Sequence, residues 1–100
     1  MTSKERAKLK GIASTMETIF QIGKNPISPE LIKQVNDALE AREMIKLKVL
    51  ETSEYTAKEA AEIIAEEARC EVVQVIGSKI VLFRQFKKSK NSKKKSYLDD

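Results

Sequence analysis

Two predicted β-strands joined by a tight turn lie in the stretch VVQVIGSKIVLF, residues 72–83. The turn is Gly77-Ser78, and the residues on either side of it are mostly β-branched or aliphatic. A two-residue connection that begins with glycine is typical of a type II′ β-hairpin, because glycine adopts the positive φ that the first turn position needs. The stretch therefore predicts a pair of antiparallel strands at the end of the fold.

Upstream of this hairpin, helical and extended patterns alternate. Capping boxes at Thr2 and Thr56 and a serine-proline pair at residues 28–29 mark the starts of three helices. Short runs at 18–22 and 44–50 predict strands between them. The predicted order is αβαβαββ, an α/β chain of the α+β type with three helices and a mixed four-stranded sheet. Right-handed crossovers would make strands one to three parallel, with strand four antiparallel to them.

The strand predicted at 44–50 alternates almost strictly between apolar and charged residues. Ile45, Leu47 and Val49 share one face, whereas Lys46 and Lys48 share the other. This pattern predicts helices on one face of the sheet only. The two lysines fit either a plain solvated strand face or a surface that binds an anionic ligand.

The composition excludes several kinds of site. Histidine is absent and Cys70 is the single cysteine among the 100 residues, which excludes an internal disulfide, a cysteine-based zinc site and a histidine general base. No apolar run is long enough to span a membrane, and the charged first residues do not resemble a secretory signal. We therefore expect a cytoplasmic protein without a catalytic site, a metal, a cofactor, a small-molecule substrate or a membrane partner.

The net charge of +4 comes from the C-terminal segment. Residues 1–84 contain 13 basic and 13 acidic side chains, whereas six lysines follow within residues 87–95. We expect residues 1–85 to form one domain and residues 86–100 to form a disordered basic tail. The tail either solubilises the protein or assists binding to a polyanion through Lys87, Lys88, Lys90, Lys93, Lys94 and Lys95.

Three turns are predicted to meet at the carboxyl ends of the parallel strands, where open sheets bind ligands. If the first helix lies antiparallel to the first strand, its basic N-terminal half reaches the same edge. This geometry predicts an anion site that combines Lys4, Arg6, Lys8, Lys24 and Lys79. An ordinary connection between a strand and a helix would explain the turn at residues 23–26 equally well.

Four stretches of the sequence together resemble the CRM domain, which is named for chloroplast RNA splicing and ribosome maturation, in its free-standing bacterial YhbY-type form. They are residues 2–6, 21–25, 38–40 with 43–49, and 73–77 with 81–84. Each stretch alone is unspecific. Four in the right order, covering about residues 2–86, are specific for the family.

The resemblance implies the CRM-domain fold and RNA binding through a GxxG-like loop, comparable to the loop with which KH domains clamp a nucleic-acid backbone. Gly23 and Lys24 match this loop, while Pro26 replaces its second glycine and removes one backbone N–H. Arg42 stands where relatives often have histidine and keeps positive character beside the second strand. The resemblance also implies association with ribosomal RNA in large-subunit precursor particles.

The favoured hypothesis is a non-catalytic RNA-binding factor of large-subunit assembly that recognises the backbone and shape of structured ribosomal RNA. The residues predicted to bind RNA are Lys4, Arg6, Lys8, Gly23, Lys24, Asn25, Arg42, Lys46, Lys48 and Lys79. The alternative is a protein-interaction adaptor that contacts a basic partner, such as a ribosomal protein, through the acidic third helix. That surface consists of Glu59, Glu62, Glu66 and Glu67.

Overall fold

The computed structural model of the chain describes residues 1–86 and 96–98. Three helices and four strands follow one another in the predicted order αβαβαββ. Their bounds are α1 (Ser3–Ala13), β1 (Phe20–Ile22), α2 (Pro29–Arg42), β2 (Met44–Val49), α3 (Ala57–Ala68), β3 (Glu71–Ile76) and β4 (Lys79–Phe83). The predicted α+β architecture is confirmed, although β1 is two residues shorter than the strand predicted at 18–22.

The four strands form one mixed sheet in the order β1-β2-β4-β3. β1 pairs with β2 in parallel, whereas β4 lies between β2 and β3 and is antiparallel to both. Gly77 has a φ of 55°, as the first central residue of the predicted hairpin requires. The predicted strand directions are therefore confirmed, and β1 and β3 are the two edges of the sheet.

Each helix begins at the predicted cap. The Thr2 hydroxyl accepts a hydrogen bond from Glu5 N, and the Glu5 carboxylate accepts one from Thr2 N, which completes a capping box. Thr56 and Glu59 form the same arrangement at α3. The pKa of both carboxyls lies below the usual value. The largest cause is the hydrogen bond with the backbone of the cap threonine, and the second is the hydrogen bond with its side chain.

Helices cover both faces of the sheet, so the prediction of helices on one face only is wrong. α2 and α3 pack on one side, around Leu39, Leu47 and Ile64. α1 packs on the other side, where its Leu9 and Ala13 are part of a second buried apolar cluster. The members of this second cluster are Leu9, Ala13, Met44, Val73, Val81 and Phe83.

A β-bulge in β3 shapes the side of the sheet that α1 covers. The register with β4 shifts between Val72 and Gln74, so that Val73 is the extra residue. Val72 packs with the α2–α3 cluster, whereas Val73 is buried with α1. Gln74 lines the groove beside α1, so the bulge places two consecutive residues on the same face.

Four residues of the predicted tail, Phe86 and residues 96–98, contact the domain. Glu43 is fully buried, and its carboxylate accepts hydrogen bonds from Phe86 N (2.6 Å), Ser96 Oγ (2.8 Å) and Tyr97 N (2.7 Å). Leu98 packs against the α1 cluster. The six tail lysines named above lie outside the described residues.

Within the described ranges, no helix is long and apolar enough to cross a membrane. The same residues contain no cluster of three or more histidine, cysteine, aspartate or glutamate side chains able to hold a metal ion.

Candidate nucleic-acid interface

The three predicted turns do meet at one end of the sheet, formed by the carboxyl ends of β1 and β2 and by the β3–β4 hairpin, which we call the loop edge. β1 and β2 are in register, so that Ile22 lies opposite Val49, and Leu50 N donates to Ile22 O at 2.8 Å. Val49 N in turn donates to Ser78 O in the hairpin turn at 2.7 Å. The loop after β1 therefore lies beside the turn after β2, and that turn lies beside the β3–β4 hairpin.

A row of exposed side chains crosses the sheet next to this edge. Gln21 lies opposite Lys48, Lys48 opposite Lys79, and Lys79 opposite Ile76. Partners that are directly opposite project from the same face, and this row lies on the side that α1 covers only in part. With strands about 4.8 Å apart, the row spans about 14 Å from β1 to β3. Lysine amines lie at its centre.

We refer to Lys10, Lys46, Lys48 and Lys79 as the basic face. Lys46 and Lys48 are on β2, Lys79 begins β4, and Lys10 is in the last turn of α1. Lys10, Lys46 and Lys79 line one groove. In the part of the chain that the structure describes, the amines of Lys10, Lys48 and Lys79 form no ion pair or hydrogen bond with protein. Their charges are therefore available to an external anion.

The loop after β1 exposes Lys24, Asn25 and Pro26. Gly23 does not need positive φ, and a Cβ added to it would lie at an ordinary contact distance, 3.5 Å, from Leu50 Cδ1 and Thr52 Oγ1. The fold itself therefore tolerates a side chain at this position. A glycine here leaves the backbone open to close approach by another molecule.

The N-terminus of α2 contributes little to an anion site beside this loop. Ser28 Oγ already accepts the Leu31 N–H at 3.2 Å, and Pro29 has no N–H to offer. Glu30 adds an acidic side chain in the first turn. The favourable end of the helix dipole is therefore largely neutralised within the protein, and Lys24 supplies most of the positive charge here.

Lys46 has a structural role in addition to its place on the basic face. Its ammonium group donates to Ala13 O at 3.0 Å and to Met16 O at 3.3 Å, at the C-terminal end of α1. The Ala13 carbonyl, which also accepts a hydrogen bond from Met16 N, ends the helix, and a cation there is stabilised by the helix dipole. The long side chain thus joins the sheet to the helix that covers it.

The basic N-terminal half of α1 does not reach the loop edge, so the predicted cluster of five cations is not assembled. The Arg6 guanidinium donates to Val72 O and Val73 O at the bulge, and the Met1 amino group lies 3.8 Å from Glu71. Both contacts are at the opposite end of β3. Lys4 is exposed in the first turn of α1, and Lys8 is exposed farther along the helix.

Arg42 is also separated from the loop. It is exposed at the end of α2 and lines a small cavity with Met16 and Glu17 near the start of β2. The Gly23 loop lies at the carboxyl ends of the parallel strands β1 and β2, whereas Arg42 lies just before the start of β2. Arg42 is therefore at the other end of the sheet. Of the predicted residues, the structure brings together Gly23, Lys24, Asn25, Lys48 and Lys79 and places Lys46 beside them.

Arg6 supports the fold through its contacts at the bulge. We expect Arg6→Gln to lower the free energy of unfolding by about 1–3 kcal/mol, because two carbonyls lose a charged donor. Urea unfolding followed by circular dichroism measures this change. Lys4→Gln is the matched control on the same helix and should stay within about 0.5 kcal/mol of the unmodified protein. Equal stability of the two variants would contradict the structural role of Arg6.

Lys10 belongs to the basic face but was not among the residues predicted from the sequence. The prediction assigned the N-terminal half of α1 to the loop edge, whereas the last turn of α1 lines the groove with Lys79. The helical spacing that buries Leu9 and Ala13 places Lys10 beside that buried stripe, so its position along the helix was the available signal.

Acidic side chains lie mainly on the other side of the sheet. α3 packs against the face opposite the basic face, and its Glu62, Glu66 and Glu67 are exposed. Glu51 and Glu54, in the turn after β2, are exposed at the loop edge itself. The positive potential therefore belongs to Lys24 and the basic face rather than to the whole edge.

Cys70 has no sign of an activated nucleophile. It follows the C-cap Arg69 of α3 and is half-buried. Burial raises the pKa of its thiol from 9.0 to about 11, with a smaller lowering effect of Arg84 and a raising effect of Glu71. The thiol therefore stays protonated at neutral pH.

The chain belongs to the CRS1/YhbY (CRM) domain family, whose model matches residues 1–84. It is 39% identical over 90 residues to Probable RNA-binding protein YqeI of Bacillus subtilis, covering 90% of this chain and 94% of that protein. A protein of Haemophilus influenzae named RNA-binding protein is 28% identical over 90 residues, covering 90% of this chain and 91% of the relative.

A solved structure has the same fold. The solution structure of the hypothetical protein SAV1595 from Staphylococcus aureus superposes with a TM-score of 0.74 at 43% sequence identity. The match covers 96% of this chain and 98% of that one. The resemblance to the CRM domain seen in the sequence is therefore confirmed.

Proposed function

We propose that this protein binds RNA with the loop after β1 and the basic face, and that it acts without catalysis in assembly of the large ribosomal subunit in the bacterial cytoplasm. The observation that supports the proposal is that Lys24, Lys48 and Lys79 all lie at the loop edge of the sheet. The names of the Bacillus and Haemophilus relatives support RNA as the ligand. The assembly role and ribosomal RNA rest on the family resemblance.

The arrangement suits recognition of a phosphate backbone. Lys48 and Lys79 lie in register on adjacent strands, and the Gly23 loop lies at the ends of the same strands. Lysine amines contact phosphates without reading bases, so this part of the surface provides affinity and orientation rather than sequence preference. Binding should weaken steeply with salt, since each phosphate contact releases counterions.

Lys24→Glu tests this proposal directly. We expect about tenfold weaker binding to large-subunit ribosomal RNA fragments at low salt, with a shallower salt dependence, because one cation at the phosphate backbone is replaced by an anion. Fluorescence anisotropy across a salt series measures both quantities, with a structured non-ribosomal RNA and duplex DNA as comparison ligands. Preference for the ribosomal fragments supports the assembly role, and equal binding to all three ligands contradicts it.

Arg69→Glu is the matched control for this experiment. Arg69 is exposed at the C-cap of α3, on the other side of the sheet and beside the start of β3, away from the loop, and the substitution changes the net charge by the same amount. We expect it to lower affinity only slightly, through the overall field of the protein. If the two variants weaken binding equally, the loop is not part of the interface and the proposal fails.

A second candidate function is the protein-interaction adaptor. The observation in its favour is the exposed acidic surface of α3, which faces away from the basic face. Glu59 contributes less than predicted because its carboxylate is bonded within the capping box, which leaves Glu62, Glu66 and Glu67. A stoichiometric protein partner that survives nuclease treatment and is lost on substituting these three residues by glutamine would support the adaptor.

A further inference from the structure

A groove of about 300 Å³ lies between the last turn of α1 and the uncovered part of the sheet. Lys10 and Ser14 line it from the helix, and Lys46, Gln74, Ile76 and Lys79 line it from the strands. Its volume is at the lower end of those of small-ligand pockets, which are about 300–1,000 Å³. It opens next to the exposed row that leads from Lys79 through Lys48 to the loop after β1.

The groove combines one free amide with an exposed apolar side chain. Gln74 is half-buried because the bulge turns it toward α1, and its side-chain amide forms no hydrogen bond to any residue within 1–86 or 96–98. Ile76 is 59% exposed, the largest exposed fraction among the large apolar side chains that the structure describes. An amide that can both donate and accept, beside an aliphatic surface, matches the edge and face of a nucleobase.

The charges that line the groove indicate which class of ligand it binds. Three lysines line the groove, and none of the described residues that line it is acidic. The exposed carboxylates of α3 are on the opposite side of the sheet. A ligand that carries negative charge on its backbone and has a flat, partly apolar group with hydrogen-bonding edges satisfies the lysines, the amide and the isoleucine together.

We infer that this groove receives an unpaired base of a single-stranded RNA segment whose phosphates lie on Lys10 and Lys79. The inference rests on the proposed function, which it extends from backbone contacts to contact with a base. A base inside a helix is stacked and cannot enter a groove between a helix and a sheet, so the groove distinguishes unpaired from paired RNA. No aromatic side chain lines it, so Gln74 and Ile76 provide the contact instead of ring stacking.

Two groove variants test the inference with short single-stranded RNA oligonucleotides of mixed sequence and with the same sequence closed into a hairpin stem. We expect Gln74→Ala and Ile76→Ser each to weaken binding of the single strand about fivefold, through a lost hydrogen bond or a lost apolar contact. Affinity for the stem should stay within about twofold, because phosphate contacts are unchanged. The side-chain amide resonances of Gln74 should also shift when the single strand is added.

Val75→Ser is the matched control for Ile76→Ser. Val75 is the neighbouring residue of β3, is 37% exposed and projects from the opposite face of the sheet. Equal loss of affinity in the two serine variants, or unchanged single-strand affinity in both groove variants, would overturn the inference. If Lys24→Glu weakens binding while the groove variants do not, the groove fails and the proposed function stands. If none of these variants weakens binding, both fail.

Discussion

Replacing Glu43 by alanine should lower the free energy of unfolding by about 3 kcal/mol, a large part of the 5–15 kcal/mol typical of a small domain. The Glu43 carboxylate accepts hydrogen bonds from Phe86 N, Ser96 Oγ and Tyr97 N, and its side chain is fully buried. Alanine removes the buried acceptor that these three donors share and opens a cavity. Thermal unfolding should shift downward by roughly 12–24 °C for a chain of this size.

The backbone at Glu43 gives this prediction a second, independent readout. Glu43 ends α2 with φ 68° and ψ −45°, a conformation that is costly for any residue with a Cβ. Its N–H donates to Leu39 O and its C=O accepts from Arg84 N, so the neighbouring elements hold it in place. Glu43→Gly removes the same carboxylate but relieves the backbone cost, and it should be about 1 kcal/mol more stable than Glu43→Ala.

The matched control is Glu62→Ala on the exposed side of α3, where we expect a change within about 0.5 kcal/mol. Urea unfolding of all three variants by circular dichroism gives the comparison. If Glu43→Ala unfolds at the same urea concentration as Glu62→Ala, the carboxylate does not anchor residues 96–98. If the glycine variant is no more stable than the alanine variant, the positive φ is not a source of strain.

Local patterns in the sequence were sufficient to predict the elements. The capping boxes at Thr2 and Thr56, the cap at Ser28 and the turn at Gly77 each involve residues within a few positions of one another. The cap hydrogen bonds join residues three positions apart, so residue type and spacing identify them. The same short range explains why element type and order were correct.

Contacts between distant parts of the chain were not visible in the same way. Lys46 and Lys48 alternate like a solvated strand face, yet the Lys46 ammonium reaches the end of α1, 30 and 33 residues away in the chain. A long side chain such as lysine can cover apolar surface and still donate a hydrogen bond to a backbone carbonyl. A strand face that a helix covers can therefore show a polar sequence pattern. The position of Arg6 was predicted wrongly for the same reason. Its partners are the carbonyls of a β-bulge, and no residue type in the sequence indicates that bulge.

The grouping of the candidate interface residues was predicted in part. Gly23, Lys24, Lys48 and Lys79 come together because β1, β2 and β3 run parallel and β4 follows a tight turn, which the sequence indicated. The sequence did not indicate the direction in which α1 crosses the sheet. A helix can cross in either sense with the same buried stripe, and the choice decides whether Lys10 or Arg6 approaches the loop edge.

Reversing the charge of Lys48 should weaken RNA binding and at the same time leave the fold equally stable or slightly more stable. Lys48 and Lys79 are directly opposite each other on β2 and β4, and both are exposed. Like charges in such a pair are destabilising, whereas opposite charges contribute roughly 0.2–1 kcal/mol. A pair of lysines at this position therefore costs stability, which is expected of a surface kept for an anionic ligand.

A charge-reversal cycle separates the two effects. Lys48→Glu and Lys79→Glu each convert the pair to opposite charges and should raise the free energy of unfolding by up to about 1 kcal/mol. The double variant restores a like-charged pair and should return to the stability of the unmodified protein. RNA affinity should follow a different course, falling about tenfold in each single variant and about 100-fold in the double variant, because in the proposed interface the two lysines contact separate phosphates.

Urea unfolding and anisotropy titrations with a large-subunit ribosomal RNA fragment at low salt measure the two quantities on the same four proteins. A purely structural role for the lysine pair predicts that affinity follows stability, so that the double variant binds like the unmodified protein. An interface role predicts the reverse, with the double variant folded normally and binding weakest. Since both single variants remain folded in either case, weak binding in them cannot be attributed to unfolding, and the cycle decides whether the basic face is kept for RNA.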